Sequence, residues 1–316
     1  MKKFLNLLIA LLAFPAFAAA QEGTVTLTTN LEAGTEITLR VWTSSVNDPL
    51  TIDWGDGNAK SYTIDPNGWA WPLNTKGNVL GPTITITGSL ANLECSSAGI
   101  TACAIENQPN LKYINLSKNA LTELTLPSLP ALETLDLSEN QIDSHSFDIS
   151  AVGSTLKELN VSKNGENFIT LNLMGFTALE SFYGYNNPEM TTVVFADNAD
   201  NLKRIDMHEC HIMHFYSRSM PKLISLNLND NALLDFEDGN YPAMTYFYIA
   251  NNYLTELDIT KYPKLYQFTC AGNDITTINP SNCPELISFN ISGNKIKSVD
   301  LSNNKAITNL YVQDNQ

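Results

Sequence analysis

The stretch LKYINLSKNALTELTLPSLPA, Leu111 to Ala131, is answered further along the chain by MTYFYIANNYLTELDITKYPK, Met244 to Lys264. Both fit the template LxxLxLxxNxLxxLxLxxxPx, and a fixed period of this kind has to be settled before any shorter motif is read. With the first apolar residue taken as position 1, units begin at Leu90, Leu111, Leu132, Leu156, Leu179, Leu202, Leu223, Met244, Leu265, Leu286 and Ile307. Seven of the ten steps are 21 residues, and the three from Leu132 to Leu202 are 24, 23 and 23. A constant step with a few short insertions predicts stacked coils whose turns bulge outward.

Within a unit, positions 4 and 6 are apolar with period two, as in Leu135/Leu137 and Phe247/Ile249, which predicts a short strand with one buried face. Positions 3 and 5 then face the other way. A second alternating pair, such as Leu124/Leu126 or Leu257/Ile259, lines the opposite wall. Position 9 is Asn in nine of the eleven units: Asn119, Asn140, Asn164, Asn187, Asn231, Asn252, Asn273, Asn294 and Asn315. A buried amide at a fixed place in every coil predicts a ladder that satisfies backbone groups where the chain turns. Pro109, Pro130, Pro221, Pro242, Pro263 and Pro284 end six of the coils.

This pattern resembles the leucine-rich repeat family, in particular the short-repeat internalin-like and BspA-like surface proteins of bacteria. The resemblance covers Leu90 to Gln316, about 10.5 repeats. It implies a curved repeat solenoid with a parallel sheet on its concave side, and binding of a protein or glycan on that sheet in preference to catalysis.

The preceding segment, 21–89, alternates as strands instead: TVTLTT, EITLRVWT, LTIDWGDGNAKSYTI and TITITG. Its GDGN is a hairpin turn signal. Asp53-Trp54-Gly55-Asp56-Gly57 resembles the DWGDG-type hairpin of polycystic-kidney-disease-like (PKD-like), immunoglobulin-related modules. A calcium loop through Asp53, Asp56 and Asn58 lacks the usual ligand spacing. All four tryptophans (Trp42, Trp54, Trp69 and Trp71) fall here. Trp69 and Trp71 read either as a sugar-stacking platform or as part of a plug. The plug reading makes 21–89 a small all-β cap on the open end of the solenoid, since terminal repeats expose an apolar cross-section.

Residues 1–20 have the layout of a secretory signal peptide: Lys2 and Lys3, an apolar run from Phe4 to Phe14, and Ala18-Ala19-Ala20 before Gln21. No later segment approaches twenty apolar residues, so the mature chain is expected to carry no transmembrane segment. The expected location is exported: cell surface, periplasmic or secreted. Loss of the two lysines takes the net charge from −15 to −17, which repels phosphate backbones and argues against nucleic acid as a partner. Five cysteines show no CxxC spacing. Most read as core-filling thiols; Cys95 and Cys103 are the pair to examine for a disulfide.

Positions 2, 3, 5, 7 and 8 are expected to face solvent, and they divide the solenoid. Coils two to six carry mixed charge there, including Lys112, Glu133, Asp136, Glu158, Lys203 and Glu209. Coils eight to ten carry none and present Tyr246, Tyr248, Asn251, Tyr266, Gln267, Thr269 and Asn290, with Ile287 at the edge. Rigid rings among small polar residues are the chemistry of adaptable binding surfaces, so these seven form the candidate ligand-binding patch. Tyr183 and Tyr185 of the fifth coil form a secondary one.

One stretch competes for attention: RIDMHECHIMHF, Arg204 to Phe215, holds three of the four histidines. A metal-dependent enzyme at His208–His214 is a minor alternative. The spacing is not HExxH, and the repeat register places Ile205, Met207, Ile212 and Phe215 inward and Cys210 in the Asn slot. No GxSxG elbow occurs, and the carboxylates Asp136 and Glu158 read as solvated charges. No catalytic residue, metal or cofactor is assigned. Beside the exported binding protein or adhesin stands a second reading, a spacer or stalk of a larger surface protein, raised by the chain's stop at Asn315-Gln316 midway through a coil.

Overall fold

The computed structural model describes residues 23–45, 48–62, 73–197, 199–216, 219–237 and 239–316. The segment 1–20 read as a signal peptide, and Trp69 and Trp71, lie outside them. From Leu90 onward each unit contributes one short strand to a long parallel sheet. The strands are Leu90–Glu94, Tyr113–Asn115, Thr134–Asp136, Glu158–Asn160, Ser181–Tyr183, Arg204–Asp206, Ser225–Asn227, Tyr246–Tyr248, Gln267–Thr269, Ser288–Asn290 and Asn309–Tyr311. Neighbours pair in register, position 4 on position 4, so Leu226, Phe247, Phe268 and Phe289 form one row. Positions 4 and 6 are buried throughout coils one to ten, as the period-two pattern requires. Coils eight to ten place Phe at position 4, and the rings meet from coil to coil: Phe247–Phe268 at 5.7 Å, tilted, and Phe268–Phe289 at 5.8 Å, stacked.

The asparagine ladder holds the coils together. Asn252 is typical: its Nδ2 donates to the carbonyls of Leu228 (3.0 Å) one coil back and of Ile249 (3.3 Å) and Ala250 (3.1 Å) in its own coil. Its Oδ1 accepts from the Leu233 amide at 2.9 Å. Asn231, Asn273 and Asn294 repeat the pattern. In the sixth coil Cys210 keeps one of these links, its Sγ donating to the Gly184 carbonyl at 3.2 Å.

Immediately before the ladder, position 8 adopts the left-handed conformation in all eleven coils. Nine of these residues carry side chains, from Ser97 (φ 57°) to Asp314 (φ 58°), and two are Gly272 (φ 65°) and Gly293 (φ 63°). Each non-glycine residue there costs about 1–2 kcal/mol, which the amide network of position 9 outweighs. In coils two, three, four and eight the turn also corrects the expectation that position 7 faces solvent. Ser117, Ser138, Ser162 and Ala250 are buried, because the chain is already bending inward. Position 5 prepares this bend: Asn115, Asp136, Asn160 and Asn290 each accept from the backbone N–H and hydroxyl of the serine two residues on.

The opposite wall is less regular. Among the described residues it holds three parallel strand pairs: Leu124–Thr125 with Phe147–Asp148, Thr170–Leu173 with Thr192–Phe195, and His214–Phe215 with Asp235–Phe236. In coils eight to ten it runs without strands, through turns that Asp258, Asn279 and Asp300 cap.

At the other end both walls of the first coil continue into N-terminal strands. Leu90–Glu94 pairs antiparallel with Glu36–Thr43, which pairs with Leu73–Asn78. Ile100–Glu106 pairs antiparallel with Thr24–Thr29 and forms the edge of a five-stranded sheet with Thr83–Thr87, Leu50–Asp53 and Lys60–Tyr62. The strand Leu73–Asn78 has no clear sequence signal, because Gly77 interrupts its alternation. The structure supplies the reason: a Cβ at Gly77 would lie 2.2 Å from the ring of buried Trp54. In the GDGN hairpin the Asp53 carboxylate accepts from the amides of Gly55, Asp56 and Gly57, so it is spent on the turn itself.

All five cysteines are free thiols, which corrects the suggested Cys95–Cys103 bridge. Cys95 follows a strand of the long sheet and Cys103 lies on a strand of the five-stranded one. The two thiols lie near enough for Cys103 to add to the shift of Cys95, yet they are not bonded. Burial pushes the thiols of Cys95, Cys103 and Cys270 up to about 12, and those of Cys210 and Cys283 up to about 11.

Two outcomes follow from this packing. Asn252→Ala strands several buried backbone groups and should lower unfolding free energy by about 2–3 kcal/mol in urea melts. The thiols hold their protons more tightly folded than unfolded, since 9.0 is their ordinary value. Their contribution is therefore complete below about pH 9 and is lost as pH rises through 11 to 12; melting temperature measured from pH 8 to 11 should fall, and fall less in a Cys95→Ala/Cys270→Ala variant.

Candidate binding face

The parallel register converts the sequence into rows across the solvent face of the long sheet. Position 3 gives Arg204, Ser225, Tyr246, Gln267, Ser288 and Asn309; position 5 gives Tyr183, Asp206, Asn227, Tyr248, Thr269, Asn290 and Tyr311. Neighbouring strands lie about 4.8 Å apart, close enough for rings to meet. Tyr246 meets Tyr266 edge to face, with centroids 6.3 Å apart at 72°. The Tyr248 hydroxyl donates to Gln267 Oε1 at 2.8 Å. Burial, with Tyr246 alongside, pushes the Tyr248 phenol above its ordinary value, so it stays a donor at neutral pH.

Four of the seven candidate patch residues, Tyr246, Tyr248, Tyr266 and Gln267, are thus brought into one cluster. The other three have local duties. Thr269 Oγ1 accepts from the Ala271 amide at 3.3 Å, and Asn290 Oδ1 accepts from Ser292 N (3.1 Å) and Oγ (2.7 Å). Asn251 stands on the rim at position 8, its Nδ2 donating to Asp230 Oδ1 at 2.7 Å. A Cβ at Gly272 would fall 2.4 Å from Asn251 Oδ1, so glycine there makes room for that amide.

Position 2 forms an edge row that changes character midway. Lys112, Glu133, Lys157, Glu180 and Lys203 alternate in sign, with Lys157 on Glu133 at 3.0 Å and Lys203 on Glu180 at 2.5 Å. The Lys203 hydrogen bond holds the Glu180 carboxyl below its usual range. Beyond them the row becomes Ile224, Thr245, Tyr266 and Ile287, and Ile224 is 43% exposed. Ile224 was not singled out from sequence, although position 2 of the seventh coil held the signal. Tyr311 was also missed; it is 45% exposed and extends the position 5 row past Asn290.

The secondary pair is not isolated. Tyr185 stacks on His208 with centroids 4.7 Å apart at 9°, and His208 Nδ1 lies 2.6 Å from Asp206 Oδ1. Tyr183 shares its row with Asp206, Asn227 and Tyr248, so both aromatic groups belong to one continuous band. The other two histidines leave this face. His211 is exposed past the turn, and His214 lies on the opposite wall against Asp235 (2.9 Å) and stacked on Tyr216. Among the described residues no group of three or more His, Cys, Asp or Glu is placed to hold a metal ion. Asp136 and Glu158 stand in different rows, Asp136 being taken up by Ser138.

The family model "Leucine Rich repeats (2 copies)" matches residues 109–147, the second coil and most of the third. That match places two neighbouring coils among leucine-rich repeats. YopM of Yersinia enterocolitica WA-314 superposes with a TM-score of 0.53 at 22% identity, over 72% of this chain and 52% of that one. A leucine-rich repeat protein of Leptospira interrogans gives 0.47 at 21% identity, over 66% of this chain and 62% of that one. The functional domain of InlJ from Listeria monocytogenes, which includes a cysteine ladder, gives 0.45 at 17% identity, over 76% of this chain and 66% of that one. Among curated proteins, tubulin-specific chaperone E of Mus musculus is 42% identical over 84 residues. That match spans 24% of this chain and 16% of the chaperone. The likeness to YopM is one of fold: a leucine-rich repeat solenoid. Among the described residues no helix is long and apolar enough to cross a membrane.

The charged half of position 2 is an exposed ladder, and such pairs are worth at most about 1 kcal/mol. Neutralising Lys157 and Glu133 together, both to Gln, should leave the urea midpoint nearly unchanged.

Proposed function

We propose that this protein is an exported, non-enzymatic binder that captures a protein ligand on the concave face of its leucine-rich repeats, centred on Tyr246, Tyr248, Tyr266 and Gln267. The observation that carries the reading is the change in the face between its two halves. Coils two to six pair several of their charges, such as Lys157 with Glu133 and Lys203 with Glu180, while coils eight and nine present uncharged rings flanked by Ile224 and Ile287. Aromatic and aliphatic side chains ringed by small polar groups are what protein interfaces concentrate at their energetic centre. Tyr183 and the Tyr185–His208 stack extend the contact surface, and Asn251, Thr269, Asn290 and Tyr311 form its rim. A glycan is the alternative ligand for the same rings. The sequence of 1–20 supports export to the cell surface, the periplasm or the medium.

The same reading makes 21–89 a PKD-like cap. Support comes from its strands, which pair with both walls of the first coil and cover the apolar end that a terminal repeat would otherwise expose. The internalin-like and BspA-like affiliation rests on the short repeat and on the signal sequence.

The test is capture by the mature protein from a host-protein extract and on a glycan array. The variant Tyr246→Ser/Tyr248→Ser/Tyr266→Ser should keep the far-ultraviolet circular dichroism of the parent and lose capture at least tenfold. Undiminished capture by a folded triple variant overturns the assignment, and capture on the glycan array alone replaces the protein ligand with a sugar.

A further inference from the structure

The first and second coils part company on the wall opposite the long sheet. They begin in register, with the Ala120 amide donating to the Ile100 carbonyl at 2.9 Å. The next pair of coils continues this stacking, Gln141 to Leu121 and Asp143 to Thr122, and then pairs Leu124–Thr125 with Phe147–Asp148. The first coil does not. Its strand Ile100–Glu106 turns away to pair with Thr24–Thr29, and its other side is left as the edge of the five-stranded sheet.

Two strand edges therefore face each other across a groove of about 490 Å³: Ile100–Glu106 on one side and Leu124–Thr125 on the other. That volume is in the range of ligand clefts, about 300–1,000 Å³. Cys103 lines it over a floor of buried Leu124 and Leu126, Pro127 stands on the far side, and Ala102 and Ala104 offer no bulk to block it. Native edges are commonly blunted by lysine, proline or a covering loop, yet the Ile100–Glu106 edge carries neither residue. The charged side chains lining the groove are Glu106 and Glu123, one from each coil, and none is basic.

We infer that this groove is a second binding site, which accepts an extended peptide strand carrying alternating basic and small apolar side chains. The incoming strand adds to the edge of Ile100–Glu106 through main-chain hydrogen bonds, the mode of β-augmentation. Its apolar side chains fall on Cys103, Leu124 and Leu126, and its basic ones reach Glu106 and Glu123. The site is separate from the tyrosine face and does not depend on it.

Cys103 supplies the readout: it is half-buried in the groove while the other four cysteines are buried, and because burial pushes its thiol up to about 12, labelling is followed over hours at about pH 8.5. The experiment follows maleimide labelling of Cys103 in the full chain, by peptide mass mapping, with the acetylated, amidated peptides VKVKVKV and VEVEVEV. The lysine peptide should slow labelling at least tenfold at saturation, and the glutamate peptide should leave it unchanged. A lysine peptide N-methylated at alternate residues should lose protection, since it cannot form the ladder. Glu106→Lys/Glu123→Lys should invert the preference between the two peptides; if that variant fails to fold, the peptide comparison on the parent protein decides alone. No protection by the lysine peptide at millimolar concentration, equal protection by both peptides, or full protection by the N-methylated one overturns the inference.

Discussion

The architecture depends on one buried amide. An asparagine at position 9 reaches the carbonyls of two coils and an N–H of the coil behind it, so a single side chain ties adjacent turns together. Backbone groups inside a packed solenoid have no water to turn to, and leaving them unpaired is costly. The amide is bifunctional, with two donor hydrogens and an acceptor oxygen, and this suits it to a site bordered by both kinds of group. The left-handed residue before it aims the chain so that the amide can reach. Strain at position 8 and satisfaction at position 9 are two halves of one turn.

The solenoid was legible in the sequence because its rules are local and repeated. Alternation at positions 4 and 6 marked the sheet, and the asparagines marked the turn. Position 7 was misread because period two was carried one residue too far, past the point where Asn115, Asp136 and Asn160 fold their side chains over the following serine. Gly272 and Gly293 hinted at a left-handed position 8, but Lys118, Glu139 and Glu209 there disguised it. The strand Leu73–Asn78 was hidden because its Gly77 answers a distant tryptophan instead of its neighbours.

The candidate face was legible to a similar depth. Register alone brings Tyr246, Tyr248, Tyr266 and Gln267 together and carries the band through Asn227 and Asp206 to Tyr183. Which polar groups remain available to a ligand was not legible. Thr269 and Asn290 look alike in sequence to open binding residues, yet their oxygens are committed to the backbone two residues on. Beneath the tyrosines, coils eight to ten share a column of stacked phenylalanines, so the most aromatic part of the surface stands on the most aromatic part of the core. On the surface side, Tyr246 is held against Tyr266 and the Tyr248 hydroxyl is held by Gln267, so these rings lose little further freedom when a ligand arrives, which favours tight capture.

Cys210 gives this regularity a seam. In a linear array, stability is a sum of unit terms and nearest-neighbour couplings, and at the sixth coil a thiol stands where an amide would join three groups. The coupling between the fifth and sixth coils thereby rests more heavily on side-chain packing than at any asparagine-bearing joint of coils seven to ten. That joint runs through the Tyr185–His208 stack, whose two rings stand on either side of it. The secondary aromatic centre thus straddles the seam, while the tyrosine cluster sits on coils that asparagines tie on both sides.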